Sequence, residues 1–70
     1  MFDTTKLRAK MVEKFHSVSK FATHMGVAVQ TVIAKLNGKR EITKSDVCEW
    51  SAALEIPVDE IGVYFFTPKV

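Results

Sequence analysis

Apolar residues recur at intervals of three and four along most of the chain, which is the period of an amphipathic helix. The first such stripe consists of Leu7, Met11 and Phe15, each four residues from the next. Alternation of apolar and polar residues, which would indicate a strand, is absent over any useful length. The pattern therefore predicts an all-α fold, a compact bundle of about five short helices that forms one domain over residues 1–70.

Two short apolar-patterned segments, residues 18–25 and 29–36, lie in the middle of the chain with only three residues between them. Helices joined by so tight a connection must cross steeply, and Gly26 supplies the left-handed backbone conformation that ends the first one. Ser17 is expected to cap the first helix, and Gly38 is expected to end the second. The spacing predicts a helix-turn-helix.

The two faces of the second segment are predicted to have different roles. Val32 and Leu36 lie four residues apart and are expected to pack against the apolar stripe of the first segment. The opposite face is then exposed to a binding partner, and we expect it to carry the function. The residues of that outward face are Val29, Gln30, Ile33 and Ala34.

The last thirty residues predict two further helices. Thr43 and Asp46 have the spacing of a capping box, which opens a fourth helix in which Trp50 is expected to be the largest contributor to the core. Pro57 is expected to stop that helix and start a short fifth one. The segment 61–66 is more apolar than one face of a short helix can bury. The pattern does not decide whether this aromatic segment packs into the core or forms a homodimer contact.

Charge is distributed unevenly along the chain. The formal net charge is only +2, but residues 1–40 hold eight basic side chains against two acidic ones, whereas residues 41–70 hold two against six. A polyanion is attracted to the first half and repelled by the second, so this asymmetry would orient the molecule on a phosphate backbone. Solvated helix faces of both signs explain any single charge equally well.

The sequence gives no support to catalysis, a metal site or a membrane span. His16, His24 and Cys48 lack metal-ligand spacing, and no nucleophile or phosphate-loop motif occurs. No apolar run approaches the roughly 18 residues of a membrane span, and no leader is recognisable. We therefore expect a cytoplasmic protein with no enzymatic activity, cofactor or small-molecule substrate. Cys48 is predicted to be a small buried apolar group in a reducing compartment.

The middle of the chain also carries a specific pattern of residue types. Its residues are Phe21 and Ala22, Met25 to Val27, Gln30 to Val32, and Lys35 to Lys39. This pattern resembles the helix-turn-helix of the lambdoid repressor and Cro family, most closely the small regulators of temperate phages of Gram-positive hosts. The likeness extends from Leu7 to Phe66. It implies a lambda-repressor-like DNA-binding domain and a regulator of the lysis/lysogeny switch in the bacterial cytoplasm.

The resemblance also implies how such a domain meets DNA. The segment 29–36 enters the major groove of the operator, and Gln30 falls where the family places a base-reading side chain. A Gln can pair with both N6 and N7 of adenine, whereas contacts to phosphates position the protein without reading sequence. The candidate residues for DNA, or for a protein partner in its place, are Val18, Ser19, Ala28, Val29, Gln30, Thr31, Ile33, Ala34, Lys35, Asn37, Lys39 and Arg40.

The sequence departs from the family pattern at this surface. Val18, Val29 and Ile33 stand where hydrogen-bonding groups are usual, and Ala28 stands where a capping hydroxyl is usual. In a Cro-like protein, Val29 and Ile33 would contact thymine methyls. Alternatively, the apolar face binds the cognate phage repressor, and the protein is a modulator of repression. The charge asymmetry favours DNA, but both interpretations stay open.

Overall fold

Five α-helices and one 3-10 turn make up the computed structural model, which describes residues 2–68. This confirms the predicted all-α fold of about five short helices. An isolated antiparallel bridge between Phe2 and Pro68 brings the two ends of the described chain together. The elements are α1 Thr5–Phe15, α2 Val18–Met25, α3 Val29–Leu36, α4 Lys44–Leu54, the 3-10 turn Val58–Glu60 and α5 Ile61–Phe65.

The helix ends follow the local signals that the sequence contains. The Ser17 hydroxyl oxygen accepts a hydrogen bond from the Lys20 N–H at 3.0 Å, and Gly26 ends α2 in the left-handed region at φ 74°. At α4, the Thr43 N–H donates to Asp46 Oδ2 at 2.9 Å, and the Asp46 N–H donates to Thr43 Oγ1 at 3.1 Å. The predicted capping box is therefore present, and α2 and α3 have the predicted bounds.

The buried apolar side chains form one cluster to which every α-helix contributes. Trp50 is only 3 % exposed, and its ring packs edge-to-face on Phe21 at 5.5 Å and tilted against Phe65 at 6.4 Å. The prediction that Trp50 lies in the core is confirmed. The buried apolar residues are Leu7, Met11, Phe21, Ala22, Val32, Leu36, Trp50, Leu54, Ile56 and Phe65.

The aromatic segment at the C-terminal end divides between core and surface. Phe65 is buried, and Ile61 and Tyr64 pack partly against the core cluster. In contrast, Val63 and Phe66 are exposed, Phe66 by 48 % of its surface. The core therefore buries part of this segment. That a second copy of the chain covers the exposed part stays a prediction.

The prediction that Cys48 is buried is wrong, because its side chain is exposed. It lies in α4, two residues before Trp50 and six before Leu54, both of which are buried. Those separations place Cys48 about 200° and about 240° around the helix from the two core residues. The geometry of α4 therefore turns the thiol to the solvent.

Candidate functional site

The α2–α3 connection holds α3 close to the core. The Val27 N–H donates to the Ala22 carbonyl at 3.0 Å, which closes the turn between the two helices. Val32 and Leu36 are buried, so they fix the inner face of α3. Gln30 is exposed on the other side. The chain thus presents one side of a short helix whose other side is anchored by two aliphatic residues.

The first turn of α3 is largely apolar where it faces solvent. Ala28 occupies the N-cap position with an extended backbone, and its methyl group cannot accept a hydrogen bond from the free N–H groups of the first turn. Val27 and Ile33 are exposed, Ile33 by 40 % of its surface, and Val29 is half-buried against the core cluster. Gln30 is therefore the exposed polar side chain of a mostly apolar helix start.

Val18 departs from its predicted place. The sequence suggested that this residue lies on the contact surface at the start of α2. In the structure it is half-buried and packs against the core cluster. The reason is helical spacing, because Val18 lies four residues before the buried Ala22 and shares its face.

Lys35 is the clearest correction to the predicted site. Its ammonium nitrogen lies 2.6 Å from Asp46 Oδ2 and 5.9 Å from the centroid of the Trp50 ring, and its side chain is only 15 % exposed. Burial alone would raise the pKa of Asp46. Hydrogen bonds from Lys35 and from the Thr43 N–H outweigh that effect, so this pKa lies below its ordinary 3.8. Lys35 therefore links α3 to α4 and is not free for an external partner.

A basic cluster lies at the C-terminal end of α3. Lys39 and Arg40 are exposed in the loop, and their backbone N–H groups both donate to the Ala34 carbonyl, at 2.9 and 3.2 Å. Arg8, from α1, donates from its guanidinium to Asn37 Oδ1 at 3.2 Å. Arg8 was not among the predicted contact residues, because it lies 29 positions from Asn37 along the chain. The fold adds this third cation to the cluster.

The twelve predicted contact residues thus fall into two groups. Half-buried positions are Val18, Val29, Thr31, Ala34 and Lys35. Exposed positions are Ser19, Ala28, Gln30, Ile33, Asn37, Lys39 and Arg40. We use the term α3 surface for Val27, Ala28, Gln30, Ile33, Asn37, Lys39, Arg40 and the added Arg8.

Residues 2–68 contain neither a candidate metal-binding group nor a candidate membrane-spanning helix. Among these residues, His, Cys, Asp and Glu side chains form no group of three or more that would suit a metal ion. None of the helices in this range has both the length and the apolar character that crossing a membrane requires.

Fold and surface together define a small all-α domain that presents one short helix with a basic cluster at its C-terminal end. Residues 1–68 match the family described as protein of unknown function (DUF739), and the chain belongs to that family. A search among curated proteins gave no match. The family description names no activity.

Proposed function

We propose that the chain is a phage transcriptional regulator that binds operator DNA through α3. In this proposal α2, the turn at residues 26–28 and α3 form a helix-turn-helix, with α3 in the major groove and α2 across the phosphate backbone. The protein acts in the bacterial cytoplasm and is neither an enzyme nor dependent on a cofactor. The observation that carries the proposal is exposed Gln30 on a helix whose C-terminal end is surrounded by Arg8, Lys39 and Arg40.

The residues of the α3 surface have two roles, the recognition of bases and the contact with phosphates. Gln30 offers an amide that pairs with adenine at two atoms, and one such pair contributes about 1–3 kcal/mol of discrimination between bases. Ile33 lies one turn further along the same helix and is exposed, so it is available to a thymine methyl. Lys39 and Arg40 supply charge to phosphates, which gives affinity without sequence preference.

Gel shifts with the phage's own early promoter region test the proposal. Gln30→Ala should weaken operator binding by about 1–3 kcal/mol and relax one base position. Lys39→Ala should weaken binding to all sequences alike and lower the salt slope by about one. Lys44→Ala is the matched control, because Lys44 is an exposed lysine at the start of α4 in the acidic half. Absence of any shift by the wild-type protein at low salt would refute the proposal.

A second candidate function is modulation of repression through binding of the cognate phage repressor. The exposed apolar side chains of Val27 and Ile33 beside Gln30 favour it, because an apolar centre with a basic rim has the anatomy of a protein interface. Ile33→Asp should then abolish co-purification with the repressor. Val58→Asp is the control, since Val58 is 87 % exposed on the turn before α5. Unchanged co-purification of the Ile33 variant would eliminate this candidate.

A homodimer is part of the DNA-binding proposal. The rings of Phe2 and Phe66 meet edge-to-face at 5.5 Å, and both side chains are about half exposed, as is Val63. A second copy covering these residues would suit an operator with two half-sites. Sedimentation equilibrium of the wild-type protein measures this directly. A monomer at concentrations that saturate the operator would exclude dimerisation as a requirement for binding.

A further inference from the structure

The contact between Arg8 and Asn37 orders two side chains from distant parts of the chain. The Arg8 guanidinium lies 3.2 Å from Asn37 Oδ1, and both residues are exposed. Because a guanidinium has donors only, the amide of Asn37 must turn its oxygen toward Arg8. The amide nitrogen of Asn37, with its two N–H donors, then points away from Arg8. The pair therefore offers the solvent a group of N–H donors together with one positive charge.

The backbone carbonyl oxygens beside this pair repel an anion less than those of an open helix end, because they are engaged in hydrogen bonds. The C-terminal end of a helix carries partial negative charge, mainly on its last four carbonyl oxygens. At the end of α3, each of these four oxygens accepts a hydrogen bond at 2.6–3.3 Å. The four pairs are Asn37 N–H to Ile33 O, Lys39 N–H to Ala34 O, Gly38 N–H to Lys35 O and Thr4 Oγ1 to Leu36 O.

The nearby acidic side chain is engaged at the start of α1. Asp3, Arg8 and Asn37 line the same surface depression of about 370 Å³. Asp3 Oδ1 accepts hydrogen bonds from the Thr5 N–H at 2.9 Å and from the Thr5 hydroxyl at 2.6 Å. This carboxylate therefore compensates the positive end of α1, whereas Arg8 lies one turn further along and supplies the positive charge at the α3 side of the depression.

We propose that Arg8 and Asn37 form a phosphate-binding pair through which α1 contacts the backbone of duplex DNA at the C-terminal end of α3. The inference rests on the proposed DNA-binding function. Asn37 was already a predicted contact residue, and the new element is Arg8 of α1, which the sequence pattern did not assign to the contact surface. A guanidinium and a phosphate match geometrically, since two N–H groups can meet two phosphate oxygens. The contact positions the protein and carries no base preference.

The experiment uses DNA of mixed sequence, because the pair ignores base identity. A fluorescently labelled duplex about three helical turns long is titrated with the protein over a series of salt concentrations, and anisotropy gives the affinity. Arg8→Ala should weaken binding roughly tenfold and lower the salt slope by about one. Asn37→Ala should weaken binding in the same direction with an unchanged slope, because the amide carries no charge.

Lys6→Ala is the matched control for Arg8→Ala. Lys6 is exposed on the same helix, and a separation of two residues places it about 200° around the axis from Arg8. Both substitutions remove one positive charge, but only Arg8→Ala removes the contact. Arg8→Lys keeps the charge and should restore the salt slope while recovering only part of the affinity. Thermal unfolding of each variant by circular dichroism verifies that it is folded.

Three outcomes decide the inference. A larger loss for Arg8→Ala than for Lys6→Ala, with a lower slope and a loss for Asn37→Ala, supports it. Equal losses for Arg8→Ala and Lys6→Ala would overturn it, because Arg8 then acts through net charge alone, while the proposed function stands. Failure of the wild-type protein to bind any duplex at low salt would overturn both.

Discussion

Helices α3 and α4 differ in how their ends are held and in what their side chains face. α4 begins with a reciprocal capping box and buries Trp50 and Leu54 in the core. α3 has Ala28 at its N-cap, without a side-chain hydrogen bond, and leaves Gln30 and Ile33 exposed. Both helices contribute to the core, but the start of α4 is held by side-chain hydrogen bonds that α3 lacks, and the exposed side chains of the candidate interface lie on α3.

One ion pair joins the two helices. Lys35 of α3 donates to the same Asp46 oxygen that accepts from the Thr43 N–H, so the cap of α4 also holds α3. The side chains of Lys35 and Asp46 are both mostly buried, which sets this pair apart from the exposed pair of Lys14 and Glu55. If the separation of roles is correct, substitutions on α4 should change stability and substitutions on the α3 surface should change binding.

The largest effect is expected for Trp50→Ala. Removing this side chain leaves a cavity beside Phe21 and Phe65 and should cost about 3–5 kcal/mol of unfolding free energy. Since a domain of this size has a margin of about the same size, most of the variant should be unfolded. Urea unfolding followed by far-ultraviolet circular dichroism measures it, as Trp50 is the chain's single tryptophan and the variant lacks its fluorescence.

Val58→Ala is the control for that experiment. Val58 is exposed, so its truncation should change the unfolding free energy by no more than about 0.5 kcal/mol. A Trp50→Ala protein that unfolds cooperatively with nearly wild-type stability would contradict the central place of Trp50 in the core.

An intermediate effect is expected for Asp46→Asn. The variant keeps a side-chain oxygen for the Thr43 N–H but loses the charge that pairs with Lys35, which should cost about 1–2 kcal/mol. Glu55→Gln is the matched control, because it breaks an exposed pair and should cost less than about 0.5 kcal/mol. Equal effects of the two variants would show that the Lys35–Asp46 pair does not couple the helices.

The same pair predicts an acid dependence of stability. The pKa of Asp46 is lowered in the folded state, so the unfolded state binds its proton at higher pH than the folded state does. The contribution of Asp46 is therefore complete above the ordinary value of 3.8 and is lost as the pH falls through the lower folded-state pKa. Urea midpoints of wild type and Asp46→Asn should converge as the pH drops through that range.

The smallest effect is expected for Ala28→Ser, and it has the opposite sign. A serine at this extended N-cap position can accept a hydrogen bond from the first turn of α3, which should stabilise the protein by about 0.5–1 kcal/mol. Ala52→Ser, at an exposed position within α4, should bring no gain because it creates no cap. An unchanged unfolding midpoint for Ala28→Ser would mean that the missing side-chain cap does not weaken α3.

Much of the architecture follows from signals that act within one turn of helix. Ser17, Gly26, Gly38 and the Thr43–Asp46 box determine helix ends through hydrogen bonds and backbone conformations that involve near neighbours only. The spacing of apolar residues likewise identified Val32 and Leu36 as the buried side of α3, although Val29, which was predicted to face outward, is half-buried against the core cluster. These features can be predicted from the sequence because their physical causes are local.

The composition of the candidate site was decided by tertiary structure. Lys35 was predicted to contact a partner, but in the fold it pairs with Asp46. Arg8 joins the candidate site because the start of α1 lies beside the end of α3. Residues 8 and 37 are far apart along the chain, as are the two members of the ion pair, so no local rule connects them. The sequence by itself determined which segments are helical, whereas the packing of those helices decided which charges are free to meet a partner.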